Sequence, residues 1–182
     1  MTEEPMSATP DPSPIQDTLQ PEEPVADGAP PIEFLTQDED AVPVDMGPLD
    51  ETLIKIGQLA VRTISELKIE DIKVVDVRGR TSYCDLLVLC TASSERQLRA
   101  AASQLVSSHK LSGRGRPLGV EGQNSGRWAL IDMGDVLVHV FYAQWRGYYD
   151  LDGLWMDADR VTMEDLGLTE EGLLPQPTAQ EE

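Results

Sequence analysis

Only two cysteines and two histidines occur in the 182 residues: Cys84, Cys90, His109 and His139. Two cysteines six apart in an apolar stretch make neither a disulfide framework nor a zinc pattern, and no HxH, HExxH or CxxC run is present. They read as small core residues in a reducing compartment. His139 alternates with Leu137 and Phe141, the pattern of a hydrogen-bonded core or interface histidine rather than a metal ligand. No apolar run approaches the roughly 20 residues needed to cross a bilayer, and neither a positive leader nor an arginine-rich transit segment opens the chain. The expected location is the cytoplasm. The nucleophile elbow GxSxG and the phosphate loops GxxxxGK[ST] and GxGxxG are also missing.

Basic residues are missing from one end. Residues 1–54 hold fourteen acids and no Lys or Arg, whereas residues 55–149 hold nine acids against thirteen bases, a net of +4. Residues 150–182 return to ten acids against the single base Arg160. A mildly basic body between acidic ends favours RNA-rich or acidic partners on the body, while the ends repel RNA. Nine of the thirteen prolines fall in residues 1–47. That segment reads as a disordered extension, because mutually repelling acids and missing backbone donors leave nothing to offset the ordering entropy. Ile32-Glu33-Phe34-Leu35 is its one apolar island.

Order is expected from residue 48 to 156, with 157–182 as an acidic flexible tail carrying at most a helical turn or two between Val161 and Leu168. Asp50 is a fitting N-cap, and Leu53, Ile56, Ala60, Ile64 and Leu67 recur at helical spacing. Gly57 weakens that helix slightly. Ile72–Val77 is rich in β-branched residues and reads as a strand. Leu86–Cys90 has no polar alternation and reads as a strand covered on both faces. Ser94 with Gln97 fits a capping box opening a helix that runs to about Lys110, where Gly113-Arg114-Gly115-Arg116-Pro117 breaks it. Strands come next at Leu118–Glu121, Trp128–Asp132 and Asp135–Phe141, the last two joined by a two-residue turn at Met133-Gly134. The aromatic-rich stretch Tyr148–Trp155 is expected to pack back on the sheet. The fold class is therefore α/β (α+β), a mixed β-sheet flanked by helices.

Carboxylate pairs are the remaining catalytic candidates. Asp132/Asp135, Asp150/Asp152 and Asp157/Asp159 have spacings that can hold magnesium, but Asp beside a turn more often accepts local backbone donors. No catalytic, cofactor or metal residue emerges, and no enzyme activity is expected. Arg114 and Arg116 read as part of a plain solvated loop or as candidate contacts for RNA phosphate.

Several stretches together resemble one family. They are Asp76-Val77-Arg78-Gly79, Cys84-Asp85 through Gln97, Leu118-Gly119-Val120-Glu121-Gly122-Gln123-Asn124-Ser125, Trp128, Asp132-Met133-Gly134-Asp135 through Phe141, and Tyr149-Asp150-Leu151-Asp152-Gly153-Leu154-Trp155. In order and spacing they are similar to the ribosome-silencing, or Iojap-like, factors over about residues 50–155. The resemblance implies a nucleotidyltransferase-like fold without catalytic residues: where those enzymes carry two metal-binding aspartates, this chain has Asp85 followed by leucines. It also implies a repressor of translation under nutrient limitation. Such a protein binds the large ribosomal subunit through ribosomal protein L-fourteen and keeps the small subunit off. Assembly of the large subunit is the alternative role, and residual nucleotide binding a more distant one. Trp128 matches the family's interface tryptophan, and Met133 and Tyr149 fall where they are expected to face the partner. No cofactor and no membrane contact are implied, and the expected state is a monomer or weak homodimer. The two acidic ends lie outside the resemblance.

Overall fold

The computed structural model describes residues 46–169. The expectations for residues 1–45, including Ile32–Leu35, and for residues 170–182 lie outside the described residues. Helix α1 (Glu51–Glu66) begins where Asp50 Oδ1 accepts from the backbone of Thr52 and Leu53, at 2.7 and 2.9 Å. Its apolar stripe, Leu53, Ile56, Ala60 and Ile64, is buried. Gly57 has a packing role: a Cβ there would come within 3.0 Å of the Leu166 side chain. The tail past residue 156 therefore folds back onto α1.

Six strands form one sheet: β1 (Glu70–Asp76), β2 (Leu86–Ala92), β3 (Gly119–Glu121), β4 (Trp128–Asp132), β5 (Val136–Tyr142) and β6 (Asp159–Val161). Their order is β3-β4-β5-β2-β1-β6. Only β2 and β5 pair in parallel; every other pairing is antiparallel. β2 lies inside the sheet between β5 and β1, and its unbroken apolar run is buried on both faces. Helix α2 (Glu95–His109) packs beside α1 on one face of the sheet. The second face is covered by two short helices, α3 (Ala143–Tyr149) and α4 (Leu151–Leu154), with the Trp155–Ala158 turn. The α+β class read from the sequence is thus the observed architecture, with a core on each side of the sheet.

Four details depart from expectation. The Ser94 hydroxyl caps Gln97 N at 3.2 Å, but Gln97 Oε1 returns to Ser93 N at 2.6 Å rather than to Ser94. Gln97 Nε2 meanwhile donates to the carbonyls of Leu67 and Lys68, tying α2 to the end of α1. The β4–β5 connection is Met133–Asp135, one residue longer than a two-residue turn. Asp135 leaves the ladder because its carbonyl accepts from the backbone of Asp85 and Leu86, at 2.8 and 3.0 Å, and so starts β2. The segment after Tyr142 is helical where only an aromatic closing stretch was expected. Finally, packing continues past the boundary at residue 156: β6 pairs with β1, and Leu166 and Leu168 are buried in the helix-side core.

Candidate partner-binding face

The side of the sheet away from α1 and α2 carries a file of rings. Trp128 on β4 and His139 and Phe141 on β5 point the same way, because alternate strand residues share a face and Trp128 pairs with Phe141 across the ladder. Trp128 and His139 have ring centroids 6.5 Å apart, His139 and Phe141 5.8 Å, and Phe141 and Tyr149 5.7 Å. Tyr149 continues the file outward to Tyr148 and Trp145 on α3, at 5.3 and 6.4 Å. The Arg127 guanidinium lies 4.7 Å from the Trp145 ring, within cation–π range. The buried end of the file is thus connected through packed rings to a surface of aromatic groups and one cation.

The three expected partner contacts separate along this file. Trp128 is 1% exposed and Met133 4%. Both side chains belong to cores: Met133 lies on the helix side, and Trp128 lies among Leu89, Leu130 and Phe141. Neither reaches the surface in this structure. Tyr149 is half-buried, while Tyr148, which sequence reasoning passed over, is 47% exposed. The signal for Tyr148 was the aromatic clustering itself. The short helix that turns it outward has no periodic apolar stripe to announce it.

His139 also departs from expectation. It is fully buried, but neither ring nitrogen has a hydrogen-bond partner among the described residues. Burial holds the imidazole neutral, pushing its pKa down to about 3 from the ordinary 6.5. The unfolded chain therefore binds more protons than the folded one between those two values, and stability is lost as pH falls through that window. His139→Phe removes two unpaired polar atoms while keeping a ring in the file. It is expected to stabilise the protein by about 1–3 kcal/mol at pH 5 and to flatten the decline between pH 6.5 and 4. Urea titrations across pH check both; an unchanged slope would remove His139 as its cause.

The other candidates have local partners. Asp132 Oδ1 accepts from Gly134 N at 2.9 Å and Asp150 Oδ1 from Gly153 N at 3.1 Å, each bracing a turn. Asp152 is held by Arg146 and Lys73. Asp85 sits beside Asp135; burial and that neighbouring charge raise its pKa. Among the described residues, no group of three or more His, Cys, Asp or Glu side chains is placed to share a metal ion. Cys84 and Cys90 are buried, and burial pushes both thiols up, Cys90 to about 12, which suppresses the thiolate. Arg114, at the end of a π-helical turn (Lys110–Arg114) that continues α2, and Arg116, on the loop after it, are exposed. That loop is fastened by the contact of His109 Nδ1 with Gly115 O at 3.2 Å. No helix among the described residues is long and apolar enough to cross a membrane.

Comparisons with known proteins bear on the whole body. The family described as "Ribosomal silencing factor during starvation" matches residues 50–182. The chain is 37% identical over 112 residues to the ribosomal silencing factor of Halalkalibacterium halodurans, covering 59% of this chain and 91% of that protein. It is 30% identical over 112 residues to the mouse protein named mitochondrial assembly of ribosomal large subunit protein 1, covering 60% of this chain and 49% of that one. Among solved structures, a crystal structure of a Chromobacterium violaceum protein superposes with a TM-score of 0.54 at 36% identity, covering 56% of this chain and 84% of that one. A family match that begins at the α1 cap and takes in every strand, with a solved structure of the same fold, leads to one conclusion: the chain belongs to the ribosomal silencing factor family.

Proposed function

We propose that this protein is a non-enzymatic, cytoplasmic repressor of translation. It binds the large ribosomal subunit through ribosomal protein L-fourteen and blocks association with the small subunit when nutrients are limited. The observation that carries the reading is a cluster in which Tyr148 is exposed and Arg127, Trp145 and Tyr149 lie half-buried beside it, in a chain of this family. Aromatic groups and Arg dominate binding energy at protein interfaces because they bury large areas at small entropic cost. Here the three rings stand on α3, which Arg146 ties to β1 and β2, so little ordering is required on binding. Trp128 supports this face from beneath, and Met133 supports the opposite core. Arg114 and Arg116, which form no ion pair among the described residues, supply contacts to ribosomal RNA phosphate. The acting species is a monomer or weak homodimer.

Sedimentation of purified subunits tests the proposal. With the protein present, the two subunits are expected to run apart, with the protein travelling on the large one. Undiminished joining with no protein on the large subunit would overturn it. Tyr148→Ala is expected to weaken large-subunit binding by about 2 kcal/mol, roughly 30-fold. Its thermal midpoint should hardly move, because the side chain is largely exposed. The name of the mouse relative favours a second reading, assembly of the large subunit. Immature large-subunit particles accumulating on deletion, with normal joining of mature subunits, would favour that role.

A further inference from the structure

Arg127 carries a charge without a counter-ion among the described residues. Its backbone is fixed on both sides: Arg127 N donates to Ser125 Oγ at 3.2 Å, and the Arg127 carbonyl accepts from Tyr142 N at 2.9 Å. The side chain is half-buried, with its guanidinium 4.7 Å from the Trp145 ring on α3. Nη1 is shut from solvent and has no hydrogen-bond partner among the described residues, and the group enters no ion pair there. The indole face attracts the cation but does not neutralise it.

The acids around the cluster are engaged elsewhere. Glu95 lies against Gly126, where a Cβ would come within 2.7 Å of its Oε2, but that oxygen pairs with Arg99 at 2.9 Å. Asp150 Oδ1 accepts from Gly153 N, and Asp152 is held by Arg146 and Lys73. The Tyr149 phenol supplies no anion either: burial pushes its pKa up by more than the Arg127 charge beside it pulls it down, so it stays neutral. In the free protein, water solvates the exposed part of the Arg127 side chain. A partner seated on the exposed ring of Tyr148 removes that water. A guanidinium stripped of water and left without an anion is strongly unfavourable, so the partner that fits brings the countercharge. A carboxylate supplies it in the planar two-oxygen form that matches the guanidinium fork, which a neutral carbonyl does not. RNA phosphate is the poorer fit. The cluster is mostly aromatic, and Arg146, the other base on α3, is buried and bonded to Asp152.

We propose that Arg127 is the specificity-determining residue of the aromatic cluster, and that it receives the carboxylate of an Asp or Glu side chain on the partner protein. The rings supply contact area, and Arg127 selects which surface that area can cover. A surface that is basic or bare of acids at this point leaves the guanidinium buried and unpaired, and is rejected. The inference deepens the ribosomal reading and rests on it: the acid belongs to the large-subunit protein that covers Tyr148.

The test measures binding of the full chain to purified large subunits across a series of monovalent salt. Arg127→Gln is expected to weaken binding at least tenfold at low salt, and its affinity should then fall less steeply with salt than that of the unsubstituted chain. A merely structural role, such as holding Trp145 in place, would weaken binding without changing that slope. Arg127→Lys gives the direct readout. When its complex with the large subunit is treated with a water-soluble carbodiimide, the amine introduced at position 127 is expected to form an amide with an Asp or Glu side chain of a large-subunit protein, identified by mass spectrometry. Unchanged affinity for Arg127→Gln, an unchanged salt slope, or a complex of Arg127→Lys that yields no such amide would overturn the proposal. A cross-link from position 127 to RNA under ultraviolet light would overturn it in favour of phosphate. Tyr148→Ala separates the two inferences. If it weakens binding and Arg127→Gln does not, the carboxylate is wrong and the ribosomal reading stands; if the unsubstituted chain does not bind the large subunit, both are wrong.

Discussion

Trp128→Ala is expected to cost about 3–5 kcal/mol of folding stability, the range for deleting a large aromatic from a close-packed core. The side chain is 1% exposed and shares a core with Leu89, Leu130 and Phe141 on the sheet face opposite the long helices. Its ring also fills the space over Gly122: a Cβ added there would come within 2.5 Å of the indole. Gly122 has φ +70, which a side chain disfavours for a second reason. Gly122→Ala is therefore expected to lose stability in the same direction, by about 2 kcal/mol. Urea denaturation measures both. A loss under about 1 kcal/mol for Trp128→Ala would mean that the indole is not the core side chain seen here. Trp128→Phe separates structure from recognition. It keeps most of the apolar volume, so subunit binding should fall far less than with Trp128→Ala, whose binding defect comes from the collapse of the face above it.

Trp128 also shows where sequence reading succeeds and where it stops. A tryptophan at a strand start fits either a core or an interface, because both bury the ring. The resemblance favoured the interface, whereas the paired register with Phe141 and the close approach of Gly122 put the indole inside. Those facts depend on which strands are neighbours, and no local pattern encodes that. The elements with strong local signals were legible: the Asp50 cap, the helical spacing of Leu53 to Ile64, and the Leu86–Cys90 run that needs cover on both sides. Strand β6 was not, because three residues are too few to show a period and its partner β1 lies more than eighty residues earlier. His139 was legible as buried, from its alternation with Leu137 and Phe141. Its lack of a hydrogen-bond partner was not, since that depends on the tertiary surroundings of both nitrogens. The aromatic cluster around Tyr148 was half legible: Tyr149 was named, while Tyr148 and Trp145 were not, and all three stand on the short helix α3, whose position is fixed by residues remote in sequence.

An ion cluster anchors α3 to the sheet, and Arg146→Ala is expected to cost about 2–3 kcal/mol, the range for losing charged hydrogen bonds in a part-buried site. Arg146 is the one buried residue of α3. Its Nε and Nη2 hold the two carboxylate oxygens of Asp152 at 2.8 and 3.1 Å, a forked geometry that lysine cannot reproduce. Its Nη1 donates to Asp71 O at 2.8 Å and Thr91 Oγ1 at 3.0 Å. Asp71 has φ 47 and sits in the irregularity between Glu70 and Lys73 in β1, so the arginine satisfies a carbonyl that the ladder has turned away. Lys73 closes the cluster on Asp152 at 2.7 Å. Removing the guanidinium leaves Asp152 and two acceptors short of donors and frees α3 from β1 and β2. Because α3 carries Trp145, Tyr148 and Tyr149, binding to the large subunit should weaken together with stability, although Arg146 itself stays beneath the surface. Arg146→Lys should recover only part of either. Acid provides an independent check. The Arg146 guanidinium, with Lys73, holds the Asp152 carboxyl at about 2, below its ordinary 3.8. The folded pKa is the lower one, so the contribution is complete above the ordinary value and is lost as pH falls through the window from 3.8 to 2. In Asp152→Asn that part of the acid transition should disappear while the His139 slope at higher pH remains. If both segments of the profile vanished together, the two groups would belong to a single cooperative titration, and the separate assignment of the lower window to the Arg146–Asp152 pair would fail.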